Sequence, residues 1–362
     1  MKRIFVTAAV AALAAGGCAT SSGGQLPDPA APPPGTLAYV ANEASGVVSV
    51  VDVRDGSVEV VDLKAMGYGE TPKPHHVVVE PDGSHWYVSL IAADRVLKMD
   101  RANRVVDSVV FERPGLMALG AGDGLFVGRS MAAVNPPQRI GWIQRSTMDL
   151  EEVEVFVPRP HAIATDPSGR WVFTGSLAEN TLVALDTGSG RAEITRLDDA
   201  MGHMAHAFVD YAVSPDGRTL VATAEHTSKL LVFDLSGLPA LRLVTTLDVG
   251  ARPWHPAFTP DGSEVWFGNL GADQVTVVDA STWTVAAVVE GRGLAQPHGI
   301  AISPEGDRVY VSSRNEFGRY AARGPYGPTA GTLVVIDVDA RAILEIIDIP
   351  HWGAGMGMAG GS

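Results

Sequence analysis

Cysteine is almost absent. The 362 residues hold one, Cys18, so no disulfide can form within the chain and no Cys-x-x-Cys-His site exists for covalent c-type haem. Basic residues are also scarce: 27 Lys and Arg against 41 Asp and Glu give a formal net charge of −14. That balance excludes a broad nucleic-acid face, because phosphate binding needs clustered cations. The sequence has no Gly-x-Ser-x-Gly elbow, Walker loop or His-Glu-x-x-His motif, which leaves nucleophilic, nucleotide-dependent and zincin chemistry without their usual signatures. Few segments carry the 3.6-residue apolar spacing of a helix. What is plentiful is core material, at 46% hydrophobic against 19% charged residues, arranged in short runs between Gly- and Pro-rich turns.

The first segment is of a different kind. Met1-Lys2-Arg3 is a short basic start, and Ile4 to Ala15 is apolar but too short to span a bilayer. Residues 1–17 read as a signal peptide. Ala15-Gly16-Gly17-Cys18 resembles a bacterial lipobox; in that resemblance Cys18 carries the lipid, and Ala19 after it favours the outer membrane. Residues 18–35, with Pro27, Pro29 and Pro32-Pro33-Pro34, form an extended tether. The expected location is the periplasmic side of the cell envelope, with the membrane touched through the lipid anchor only.

From Thr36 a repeat begins. Its unit opens with a histidine, continues through an apolar run and closes in a Pro-Asp-Gly-like turn, as in Gln296-Pro297-His298-Gly299-Ile300-Ala301-Ile302-Ser303-Pro304-Glu305-Gly306. Related copies start at Lys73-Pro74-His75-His76 and Arg159-Pro160-His161, and two more end in Ser214-Pro215-Asp216-Gly217 and Thr259-Pro260-Asp261-Gly262. The turn prolines 167, 215, 260 and 304 are spaced by 48, 45 and 44 residues. Periods in the forties with short alternating strands predict four-stranded propeller blades. Third strands are marked by an apolar-Asp ending, as in Val50-Val51-Asp52 and Val277-Val278-Asp279. Seven units fit, over residues 36–352. The first begins at its second strand, Leu37-Ala38-Tyr39-Val40-Ala41-Asn42, and the stretch around Ile349–Met356 offers the missing one. The expected fold is therefore all-β: a seven-bladed β-propeller whose first blade is closed by a C-terminal strand, with residues 353–362 as closing strand and tail.

Tyr39-Val40-Ala41-Asn42 and Val309-Tyr310-Val311-Ser312, with the Pro-His-Gly-Ile-Ala and Pro-Asp-Gly motifs, resemble the YVTN-repeat family of bacterial propellers across about residues 36–352. The resemblance implies the fold and leaves activity open, because one scaffold serves many functions.

Topology puts the Pro-Asp-Gly turns on one face. The histidines and the long loops 129–139, 198–206 and 315–331 share the other, where function is expected. Six of seven units bring a histidine to the inner end of the first strand: His75 with His76, His161, His206, His255, His298 and His351. Neutral imidazole ligates copper, zinc, iron and nickel, and no thiolate competes. Neighbours in a strand face opposite sides, so only one of His75 and His76 should reach the channel unless the strand end is irregular. The seven-histidine set, adjacent pair included, resembles the propeller of nitrous oxide reductase. That resemblance implies His75, His76, His161, His206, His255, His298 and His351 as copper ligands, although the second, dicopper domain of that family is missing. His203, flanked by Met201 and Met204, could add a ligand. His226 reads as exposed loop, and Met356-Gly357-Met358 as strand followed by a fraying end. Lys73, Arg113, Arg159 and Arg252 stand at unit entrances, ready for an anionic ligand or for salt bridges between blades.

The expected function is a monomeric cell-envelope lipoprotein holding copper or another transition metal in a histidine ring, open to redox chemistry and to an unidentified ligand or protein at the loop face. Two alternatives stand beside it: a metal-free scaffold binding a protein, peptide or glycan, and a lactonase-like hydrolase.

Overall fold

The computed structural model describes residues 33–197 and 205–361. The expected signal peptide, Cys18 and most of the expected tether lie outside the described residues, as do Met201, His203 and Met204. The rest is all-β: seven four-stranded antiparallel sheets, with no helix among the described residues.

Each blade is one sequence unit. Blade 2, for example, runs Pro74–Val79, His85–Leu90, Arg95–Asp100 and Val105–Val110, paired in that order. The innermost strands of successive blades touch around the ring. They are Gly353–Met358, Pro74–Val79, Pro114–Leu119, Pro160–Thr165, Phe208–Val213, Pro253–Phe258 and Pro297–Ile302 for blades 1 to 7. The burial gradient explains the sequence pattern. Second strands such as Trp171–Ser176 and Arg308–Ser313 are buried at every position but the first, being covered by blades on both faces. They therefore read as continuous apolar runs rather than alternating ones. Outermost strands such as Thr284–Glu290 are largely exposed.

The third-strand aspartates have a local role. Asp52, Asp100, Asp186, Asp234 and Asp279 each accept a backbone N–H two residues on, which closes the turn to the fourth strand. In the Pro-Asp-Gly turns the glycine takes a left-handed conformation, with φ 72° at Gly217 and 73° at Gly262. That backbone conformation, rather than crowding by the preceding blade, is what calls for glycine there.

The ring closes as the sequence predicts. Gly353–Met358 pairs antiparallel with Leu37–Asn42, placing Ala38 opposite Met358 and Val40 opposite Met356. The closing strand begins later than Ile349, because Ile349 ends the last strand of blade 7 and Pro350–Trp352 form the turn between blades. Met356 and Met358 are buried in the core between blades 1 and 7, beside Val40, Ala301 and Tyr310, so Met358 still belongs to the strand and does not fray.

Candidate functional site

Every innermost strand starts the same way. A residue with positive φ precedes it: Lys73, Arg113, Arg159, Ala207, Arg252, Gln296 and Trp352, with φ between 47° and 61°. None is glycine. Each carbonyl accepts the N–H of the residue that follows its blade's second strand, for instance Ile91 to Lys73 at 3.0 Å and Arg314 to Gln296 at 3.1 Å. The strand then carries one extra residue against its partner; in blade 2, Pro74 faces Leu90 and His76 already faces Ser89. This bulge answers the problem of the adjacent pair. It breaks the alternation between His75 and His76, and both rings join the central cluster.

That cluster contains five histidines. The His75 and His298 ring centres are 5.8 Å apart, His255 and His298 5.0 Å, and His76 and His255 5.6 Å. His161 lies close enough for its charge state to act on that of His76. His161 and His298 have no exposed surface, and His75 and His255 are nearly as buried. One nitrogen of three rings is anchored. His161 Nδ1–H donates to the Arg129 carbonyl at 2.7 Å, His255 Nδ1 meets Asp210 Oδ2 at 2.6 Å, and His75 Nδ1 meets Glu43 Oε2 at 3.3 Å. A carbonyl can only accept, so the proton of neutral His161 sits on Nδ1 and its Nε2 carries a free lone pair. His76 is the reverse case: its Nδ1 accepts the Met117 N–H at 3.3 Å.

The other nitrogens lack protein partners. Nε2 of His75, His161 and His255 and both ring nitrogens of His298 are buried without a hydrogen bond. Burial pushes His76, His161 and His255 down to about 3, and it pushes His298 well below its ordinary value, with the Arg314 charge adding to the effect. These four rings are neutral at pH 7. Asp210 moves the other way, raised by burial to about 7. At Glu43 burial opposes ionisation, but the hydrogen bond with His75 and the charges of His75, Arg314 and Lys73 together leave its pKa lowered.

Below the cluster is a cavity of about 230 Å³ along the channel axis, bordered by His76, Asp210 and His255 at one end and by Val79, Leu119 and Met358 toward the Pro-Asp-Gly face. Above it, Trp254 lies 4.1 Å from the His298 ring, and the Arg314 guanidinium stands 5.3 Å from the Trp254 ring and 4.9 Å from that of Trp352.

Two of the seven predicted ligands are held elsewhere. His206 bonds Thr227 Oγ1 through Nδ1 at 2.8 Å and packs on Phe208; His351 Nδ1 is 3.0 Å from the Thr329 carbonyl. Both sit two residues before an innermost strand begins, ahead of the left-handed residue and outside the bulge. Among the described residues, no three His, Cys, Asp or Glu side chains are drawn close enough together to hold a metal ion as they stand. His226 is exposed. Three entrance arginines reach the preceding blade: Arg113 lies 3.8 Å from Asp94, Arg159 bonds the Met131 carbonyl at 2.9 Å, and Arg252 pairs with Glu225 at 2.5 Å.

Sequence reasoning missed Asp210, Glu43, Arg314 and Trp254. Asp210 had a signal, as a lone carboxylate in the apolar run Phe208-Val209-Asp210-Tyr211. Glu43 and Arg314 occupy one repeat position, the residue after the second strand, where Ile91, Leu177 and Leu270 are apolar. Trp254 takes the place in its unit that His75, His161 and His298 take in theirs.

No family model matches the chain, so the YVTN likeness rests on its motifs alone. No curated protein matches either. Solved structures do. A periplasmic gluconolactonase, PpgL, of Pseudomonas aeruginosa aligns with TM-score 0.68 at 18% identity, over 89% of this chain and 98% of that one. Apo AztD of Citrobacter koseri aligns with TM-score 0.61 at 12% identity, over 90% and 98%. Kuenenia stuttgartiensis hydrazine synthase aligns with TM-score 0.61 at 18% identity, over 78% and 88%. At such identities the likeness establishes the propeller fold and nothing finer.

Proposed function

We propose that this chain is a cell-envelope propeller that binds a transition metal, with copper favoured, through His75, His161, His255 and His298 in the upper channel, and with His76 beside them. One observation carries the reading: buried imidazoles whose remaining nitrogens have no partner, while Nδ1 of His75, His161 and His255 is held by Glu43, Arg129 and Asp210. Each unsatisfied buried nitrogen costs roughly 1–3 kcal/mol, and a group of them calls for a bound species. Anchoring one ring nitrogen on a carboxylate or carbonyl is how metal-ligating histidines are oriented. Neutral rings bind a metal without first losing a proton. Among divalent first-row ions, nitrogen sites hold copper most tightly. Side-chain rotation within the cluster would have to bring the rings onto one ion. His206 and His351 drop from the proposed set because their rings are engaged in the loops.

The test uses chain purified without a histidine tag, exposed to Cu(II) or Zn(II) and freed of excess metal. Wild type should retain near-stoichiometric metal and melt higher, since a ligand that binds only the folded chain stabilises it. His298→Gln and His161→Gln should lose the metal, and His351→Gln should keep it. A folded wild type that retains none, or a His298→Gln variant that retains as much, overturns the reading.

A second reading, a lactonase-like hydrolase, draws on the Asp210–His255 pair at the edge of the cavity; one structural neighbour is a gluconolactonase. A carboxylate-oriented imidazole is a general-base arrangement. This reading requires gluconolactone hydrolysis by metal-free protein, lost in Asp210→Asn. Failure of both tests leaves a metal-free binding scaffold.

A further inference from the structure

The basic side chains on the histidine-bearing face differ in their partners. Arg113, Arg159 and Arg252 are tied to Asp94, Met131 and Glu225 of the preceding blade. Arg319 is tied to Asp273 at 2.5 Å, and Arg129 to Glu152 at 2.7 Å. Arg314 is different. Among the described residues no carboxylate stands within ion-pairing distance of it, and its buried Nε has no hydrogen-bond partner. The acids nearest in charge are occupied: Glu43 with His75, Glu225 with Arg252, and Glu316 with Gln296 at 3.5 Å. The guanidinium is nevertheless held in place, its carbon within 5.3 Å of the Trp254 ring and 4.9 Å of the Trp352 ring. Cation–π contact fixes the group without using its N–H donors. Its charge acts directly on His255 and His298.

We infer that Arg314, braced by Trp254 and Trp352 over the histidine cluster, is the anchor of an anion subsite that takes a compact carboxylate. A planar fork of donors matches a carboxylate's two oxygens, and the cluster's own carboxylates are already engaged, Glu43 with His75 and Asp210 with His255. Lys73, exposed at the entrance of blade 2, adds positive charge to this face of a protein whose net charge is −14. The inference concerns the same channel as the proposed metal site but does not need the metal.

The experiment is thermal melting of the full chain in sodium acetate, with sodium chloride of matched ionic strength and the neutral amide acetamide as controls, on both metal-free and copper-exposed protein. Saturation-transfer NMR on the acetate methyl runs alongside. Acetate should raise the wild-type melting temperature by about 2–4 °C at tenfold its Kd, and acetamide should not. Arg314→Gln should abolish the rise, and Arg314→Lys, which keeps the charge without the fork, should reduce it. If Arg314→Gln does not fold, the wild-type NMR transfer decides alone. No transfer, or an equal acetate shift in a folded Arg314→Gln, overturns the subsite. Acetate binding in protein that takes up no copper keeps the subsite and removes only the metal; copper uptake without acetate binding does the converse.

Discussion

His161 stays neutral in the fold down to a pH of about 3, against an ordinary value of 6.5, because burial disfavours its charged form. The unfolded chain takes up that proton near 6.5. Between those limits unfolding binds a proton, so the stability present above 6.5 is lost as pH falls toward 3, by up to about 1.4 kcal/mol per pH unit from this residue. Asp210 has the opposite sign. Its raised pKa means that the folded state holds a proton from about 7 downward, and the unfolded state only from 3.8, so its contribution is full at low pH and is lost as pH rises through 7. The histidines outnumber it. Wild type should melt progressively lower from pH 6.5 to 4, and His161→Gln should melt along a shallower slope. Parallel slopes would mean that His161 is charged in the folded state.

At the scale of the element, the seven left-handed residues before the innermost strands are the recurring device. A non-glycine residue there costs roughly 1–2 kcal/mol, and the cost recurs at each blade because the conformation sets up the bulge that turns side chains toward the axis. The partners of each side chain should decide what a glycine does. Lys73 is exposed and its φ is 54°, so Lys73→Gly should raise the urea midpoint at unchanged m, a gain in stability of about 0.5–1 kcal/mol after the entropy glycine costs in the unfolded chain. Arg252→Gly gains the same relief but gives up the bond to Glu225, so it should show no net gain. A loss at Lys73 would show that this side chain holds the entrance through its charge on Glu43.

For the whole molecule, the ring depends on six residues from one end pairing with six from the other. Gly353–Met358 supplies the innermost strand of blade 1 and buries Met356 and Met358 against blade 7. A chain ended after Trp352 loses that strand, leaves Leu37–Asn42 with an open edge and uncovers Val40 and Ala301. It should lose cooperative thermal unfolding and shift to larger species in size-exclusion chromatography. A truncated chain that melts as wild type would show that the other six blades hold the ring closed. Gly355 adds a link to the site: a side chain there would collide with the His76 ring, so the closing strand also helps to position the cluster.

Blade number, strand order and closure were legible in the sequence because they follow from local chemistry repeated at a fixed period. Aspartate closes the third-strand turn, glycine the Pro-Asp-Gly turn, and apolar runs mark strands covered on both faces. Most histidine positions were legible for the same reason, since all but His206 follow or adjoin a proline at the unit's opening. What only the tertiary structure decided is which rings meet. A bulge between Pro74 and His76 brings both members of the adjacent pair to the axis, where period-two alternation allows one. His206 and His351 match each other in the repeat, but they lie two residues short of the strand and bond to loops. Asp210, Glu43 and Arg314 lie in three different blades and become neighbours of the histidines only when the ring closes. A repeat records what each blade does by itself; a site at the axis depends on contacts between blades far apart in the chain, which no single period contains.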